Sequence, residues 1–142
     1  EQALALANKA VKGDIISADF DQEDRNENSH YDIKIVINNN EQEVSVNANT
    51  GKVTKGDTER LDKEDLAEYK AMKQAKVSLS QAIKKANQTL KGKVLEVEFD
   101  IDFGKPVYKV EIGKGNQIHK GVADSMTGKI TRSQVSDVDR DD

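Results

Sequence analysis

A chain of 142 residues without cysteine excludes disulfides, thiolate catalysis and cysteine-ligated zinc. Its 26 acidic residues outnumber 22 basic ones and are interspersed with them, so no basic stripe suits a nucleic acid. Hydrophobic residues make up only 35%, yet they recur with clear periods, and no apolar run approaches the roughly 20 residues that a membrane helix needs.

The N-terminal EQALALANKAVKG is too short and polar for a signal-peptide core. With Glu1 in place of an initiator Met, the expectation is a mature or trimmed piece whose targeting segment has been removed, so that any membrane attachment runs through an anchor missing from this chain. Leu4, Ala7 and Val11 share one face of a first helix over residues 1–12, with Gly13 where a left-handed C-cap would sit. Ile16, Ala18 and Phe20 then alternate with polar residues as a strand. A polar loop covers Gln22 to Ser29. Tyr31, Ile33, Ile35 and Ile37 form the apolar face of a second strand, and Asn38-Asn39-Asn40 is a turn of residues that tolerate positive φ. Val44, Val46 and Ala48 supply a third strand before Asn49-Thr50-Gly51-Lys52 turns the chain again.

Asp57 to Lys76 is charge-rich and free of Gly and Pro, which predicts a solvated linker helix with Asp62 as N-cap and Leu66, Tyr69 and Met72 as its apolar stripe. A break is expected near Val77, because Ser78 and Gln81 form a capping box that starts a separate helix. That helix carries Leu79, Ile83, Ala86 and Leu90 on one face and ends near Gly92. Leu95, Val97, Phe99, Ile101 and Phe103 then alternate with Glu96, Glu98, Asp100 and Asp102, an apolar face backed by an acidic one.

The second half repeats the first. Leu4, Ala7, Val11, Gly13 and Phe20 recur 79 residues later as Ile83, Ala86, Leu90, Gly92 and Phe99, and Tyr31 and Thr50-Gly51-Lys52 recur 77 residues later as Tyr108 and Thr127-Gly128-Lys129. The difference of two residues falls in the first hairpin loop, where length changes are tolerated. One strand fits poorly: Ile118 and Val122 share a parity, but the repeat sets Gly121 and Ala123 opposite Val44 and Val46, which implies a bulge or a different register. Pro106 opens its strand, where a missing donor costs least.

These motifs, in this order, resemble PepSY domains, small modules of secreted and membrane-associated bacterial proteins. The resemblance rests on the Ala-rich helix ending in Gly, the strand ending Phe-Asp, Tyr31-Asp32-Ile33 and Tyr108-Lys109-Val110, and the closing VSVNANTGKV (Val44 to Val53) and VADSMTGKI (Val122 to Ile130). The first closing motif has Asn47 where the family usually has Asp; the second keeps Asp124 but has Ser125 in place of Ala48. The resemblance implies an extracytoplasmic setting, a helix against an antiparallel sheet, no catalysis, and a part in peptidase regulation, since a related module occurs in propeptides of thermolysin-type proteases.

The expected fold is α+β: two repeated units, each a helix on a three- to four-stranded antiparallel sheet, joined by a helical linker. Units are expected at 1–56 and 78–136, the linker at 57–77 and an acidic tail at 137–142. No catalytic, cofactor-binding or metal-binding residue is expected. His30 and His119 stand alone as solvated residues in loop or strand-edge positions, and no nucleophile motif, phosphate loop or HExxH occurs. Gly104, Gly113 and Gly115 are assigned to hairpin turns and open no helix, so they form no dinucleotide fingerprint. Glu96, Glu98, Asp100 and Asp102 are the wet face of a sheet. The alternating carboxylates of Asp137 to Asp142 resemble the start of a calcium loop but lack its Gly and final Glu, which favours a solvated tail. Both Thr-Gly-Lys triplets are turns before they are sites. The expected function is a non-enzymatic binding module for protein or peptide, regulating or inhibiting a secreted peptidase; the alternative is a structural spacer or sensor domain of an envelope lipoprotein or membrane protein.

Overall fold

Helix α1 (Gln2–Ala10) buries Leu4 and Ala7, with Val11 just beyond it, the stripe that its spacing predicts. The computed structural model describes residues 2–21 and 29–137. Under α1 lie strands β1 (Asp14–Asp21), β2 (His30–Ile37), β3 (Asn40–Asn47) and β4 (Val53–Arg60), each antiparallel to the next. Ile33, Ile35, Val44 and Val46, all essentially unexposed, face α1. The β2–β3 turn is Asn38-Asn39, both at positive φ (51° and 63°), as the Asn run predicts.

The structure corrects three local expectations in this half. Gly13 is not a left-handed cap. An added Cβ there would lie 2.3 Å from the Val36 carbonyl oxygen, so Gly13 permits close backbone approach. Next to it the β1–β2 register slips between Ile15 and Ser17, making Ile16 the extra residue of a bulge and bringing Ile15 onto the face of Ala18 and Phe20. Finally, residues 57–60 belong to β4 and not to a helix, because β3 offers them a ladder.

Helix α2 (Lys63–Lys73) follows, capped by the Asp62 carboxylate, which accepts from the Asp65 N–H at 2.8 Å. It has no buried residue; Leu66, Tyr69 and Met72 are half-buried. The Tyr69 hydroxyl donates to Asp14, whose strand partner is Val36, and Val36 in turn pairs with Glu41. Cross-strand partners share a face, so α2 lies against the face of the first sheet that α1 leaves open. There burial, together with Asp65, Glu59 and Glu43, raises the Glu41 pKa above the ordinary carboxylate range, against the opposing effect of Lys34.

The chain divides into two units between Ala71 and Met72. In the second, α3 (Leu79–Leu90) buries Leu79, Ala82, Ile83, Ala86 and Leu90. Its capping box is complete: the Gln81 N–H donates to the Ser78 hydroxyl at 3.2 Å, and the Ser78 N–H donates to the Gln81 side chain at 2.9 Å. Lys91, at φ 51°, is its left-handed C-cap. Gly92 plays the part of Gly13, since a Cβ would lie 2.5 Å from the Gly113 carbonyl oxygen. Strands β5 (Lys93–Asp102), β6 (Lys105–Lys114), β7 (Gln117–Asp124) and β8 (Ile130–Asp137) form the second antiparallel meander.

The bulge recurs between Val94 and Glu96, making Leu95 the extra residue, so Val94 and not Leu95 joins Val97 and Phe99 toward α3. Gly113 lies within β6, close against Leu95, while Gly104 and Gly115 are in turns. Phe103 is outside the strand. It occupies the β5–β6 turn at φ 50° and is fully exposed. The poorly fitting strand resolves in favour of the repeat: β6 and β7 pair without a break, and His119, Gly121 and Ala123 are its buried positions. The only slip in this strand is toward β8, between Lys120 and Gly121. Leu90 closes over the space left by Gly121.

The hydrogen bonds around Val77 tie α3 to its sheet. Its N–H donates to the Ser125 carbonyl at 2.9 Å, and its carbonyl accepts from the Tyr108 hydroxyl at 2.7 Å. Ser125 is fully buried, but its hydroxyl donates to the Pro106 carbonyl at 2.7 Å, so the loss of apolar character relative to Ala48 leaves no unmet polar group.

Candidate functional site

The Thr-Gly-Lys triplets fold into the same turn. In the first, the Asn47 side-chain oxygen accepts from the N–H groups of Asn49 and Thr50 at 2.8 and 2.9 Å, the Thr50 hydroxyl accepts from Lys52 N–H, and Gly51 takes φ 77°. In the second, Asp124 accepts from Met126 and Thr127 at 2.8 and 3.1 Å, Thr127 accepts from Lys129, and Gly128 takes φ 78°. Asn and Asp do the same work in this turn, because the turn itself needs a side-chain acceptor oxygen, which both supply. The Met126 N–H, the Lys105 ammonium at 3.1 Å and the Thr127 N–H hold the Asp124 pKa below its ordinary value. Both triplets fold as turns.

The outer strands are a different kind of surface. Among the described residues β4 pairs with β3 alone, and Thr54 to Arg60 are exposed. Gln42 braces this edge: its amide donates to the Gly56 carbonyl at 2.8 Å and accepts from the Thr58 hydroxyl at 2.6 Å, across a register slip between Gln42 and Val44. The repeat places His119 and Val135 at the positions of Gln42 and Thr58, and they are likewise paired, His119 with Val135. Valine offers no hydroxyl. His119 is only 8% exposed, and neither ring nitrogen has a partner among the described residues, so it is a core residue and not the solvated one expected. Restoring the first pairing with His119→Gln and Val135→Thr together is expected to raise stability by about 1–3 kcal/mol, read as a higher urea midpoint at unchanged slope.

His30 is not isolated either. It opens β2, three-quarters buried, with its Nε2 3.6 Å from Asp21 and 3.4 Å from Asp32. The sequence hides this cluster because Asp21 and His30 are distant in the chain and meet only through the β1–β2 register. The acidic face of β5 is where alternation predicts. Asp100 there binds the Lys109 ammonium at 2.9 Å, and that hydrogen bond raises the Lys109 pKa. Of the tail, Asp137 ends β8 and residues 138–142, with the calcium reading attached to them, lie outside the described residues. The loop expected from Gln22 lies outside them as far as residue 28.

Residues 1–57 and 76–134 each match the model of the PepSY family, described as peptidase propeptide and YPEB domain. The chain belongs to the PepSY family, as a tandem of two copies. No curated protein matches it. Among solved structures it is similar to a candidate lipoprotein of Clostridium difficile 630, with 27% identity and a TM-score of 0.53, over 94% of this chain and 89% of that one. The PepSY match ends at 57 in the first copy and at 134 in the second, so it takes in the start of each outer strand. PepSY is a propeptide-type domain and not a catalytic one.

Proposed function

We propose that this tandem PepSY protein is a non-enzymatic, extracytoplasmic binding module that regulates or inhibits a secreted peptidase by binding protein or peptide. The match of both copies to a peptidase propeptide domain carries this reading. The β4 edge supports it, since a strand exposed along its outer side can take up an extended peptide through main-chain hydrogen bonds, and Gln42 keeps that edge ordered. The similarity to a candidate lipoprotein supports the extracytoplasmic setting. Titrating the purified chain into secreted thermolysin-type metallopeptidases is expected to give saturable inhibition, weakened by Thr58→Pro, which breaks the edge geometry and its bond to Gln42. Absence of inhibition across the panel, with no peptidase recovered by crosslinking from secreted fractions, would rule it out.

That same similarity favours a second reading, a spacer or sensor domain of an envelope lipoprotein. A deletion strain with unaltered envelope assembly and signalling would exclude this one.

A further inference from the structure

The acidic sheet faces of the two copies are neutralised differently. In the second copy Asp100 and Lys109 make a 2.9 Å ion pair, so the sheet carries its own cation. The first copy has Asp21 at the place of Asp100 and Asp32 at the place of Lys109, with His30 where the second copy has Val107. A lysine has been exchanged for a carboxylate, and an imidazole stands between the two acids. All three ligand atoms lie within 4.8 Å of one another.

The spacing leaves room for an ion between the three groups. A charge-assisted N–H···O bond closes to about 2.7–2.9 Å. Here the Nε2–oxygen separations are 3.4 and 3.6 Å. Two ligands bound at about 2.0–2.1 Å and subtending a tetrahedral angle sit about 3.4 Å apart, which matches these edges. The donor set also selects the ion. One imidazole with two carboxylates suits zinc and its first-row neighbours, while calcium and magnesium prefer oxygen alone. His30 and Asp32 stand two residues apart on β2 and Asp21 is cross-strand to His30, so regular pairing, not a loop, sets the three donors on one face.

We propose that Asp21, His30 and Asp32 form a binding site for a divalent transition-metal ion of the zinc type in the first copy, with Lys109 taking the ion's place in the second. The site holds three protein ligands, leaving at least one position for water or a partner's donor group.

Isothermal titration of Zn2+ into the full chain, with the absorption of bound Co2+ as a second readout, tests this. One saturable high-affinity ion per chain is expected, weakened at least about tenfold by His30→Gln and by Asp21→Asn. Asp32→Lys copies the second unit's arrangement; it should keep the circular dichroism spectrum and lose the ion and the Co2+ bands. Absence of saturable uptake by the unaltered chain, or uptake unchanged in folded Asp32→Lys, as binding by the C-terminal carboxylates would give, overturns the proposal.

Discussion

Gly13→Ala and Gly92→Ala are each expected to cost about 3 kcal/mol or more, at the upper end of what overpacking does. The reason is what the new methyl group would meet. At Gly13 it would stand 2.3 Å from the Val36 carbonyl oxygen and 2.8 Å from the Ile35 side chain; at Gly92, 2.5 Å from the Gly113 carbonyl and 2.6 Å from Ile112. A flexible side chain can step aside, but a carbonyl already held in a strand ladder cannot move without opening the β1–β2 or β5–β6 pairing beside its bulge. Gly56→Ala is the matched control. Its nearest neighbour would be 3.5 Å away on the exposed outer strand, and the expected change is within about 0.5 kcal/mol. Urea melts of the three variants decide the matter: equal midpoints would show that the two glycines are dispensable.

Tyr108 is the second position of large effect. It is the largest side chain with no exposure, its ring meets Phe99 edge-on at 5.3 Å, and its hydroxyl donates to Val77 just ahead of α3. Tyr108→Ala is expected to cost about 3–5 kcal/mol through lost packing and the cavity left behind. Tyr108→Phe keeps the ring and isolates the hydrogen bond; it should cost about 1–2 kcal/mol, because the Val77 carbonyl loses its donor. The two variants also differ from wild type in base. Burial pushes the Tyr108 phenol up from 10.0 to about 12. The folded state therefore holds that proton more tightly than the unfolded chain, so its stabilising effect is complete below pH 10 and is lost as the pH rises through about 12. Wild type should lose stability across that interval and Tyr108→Phe should lose less. Parallel pH profiles for the two proteins would contradict this assignment.

Much of the architecture was legible in the residues. The stripe on α3, its Ser78/Gln81 cap, the Asn38-Asn39 turn and the twin Thr-Gly-Lys turns are local: each depends on neighbours within a few positions, and composition reports such neighbours directly. The repeat at 79 and then 77 residues made the two-copy plan visible as well, and the family match to both halves agrees with it. Residues 57–60 read as helix from the sequence, because charge and the absence of Gly and Pro favour one when no partner strand is considered, yet they lie in β4. On an outer strand, charged side chains are equally at home.

By itself the sequence determined the helices, the first three strands of each copy, their order, and that they form twice, because helical and strand periods, caps and turn residues act over short distances; the outer strands β4 and β8 came from the structure. Only the tertiary structure decided where each strand slips by a residue at Ile16 and Leu95, why Gly13 and Gly92 must lack a side chain, that His119 is enclosed without a partner among the described residues, and that Asp21, His30 and Asp32 converge. These depend on which residue of one strand lies opposite which residue of the next. That register is set by long-range backbone pairing, and a single bulge is enough to turn a side chain from one face of the sheet to the other.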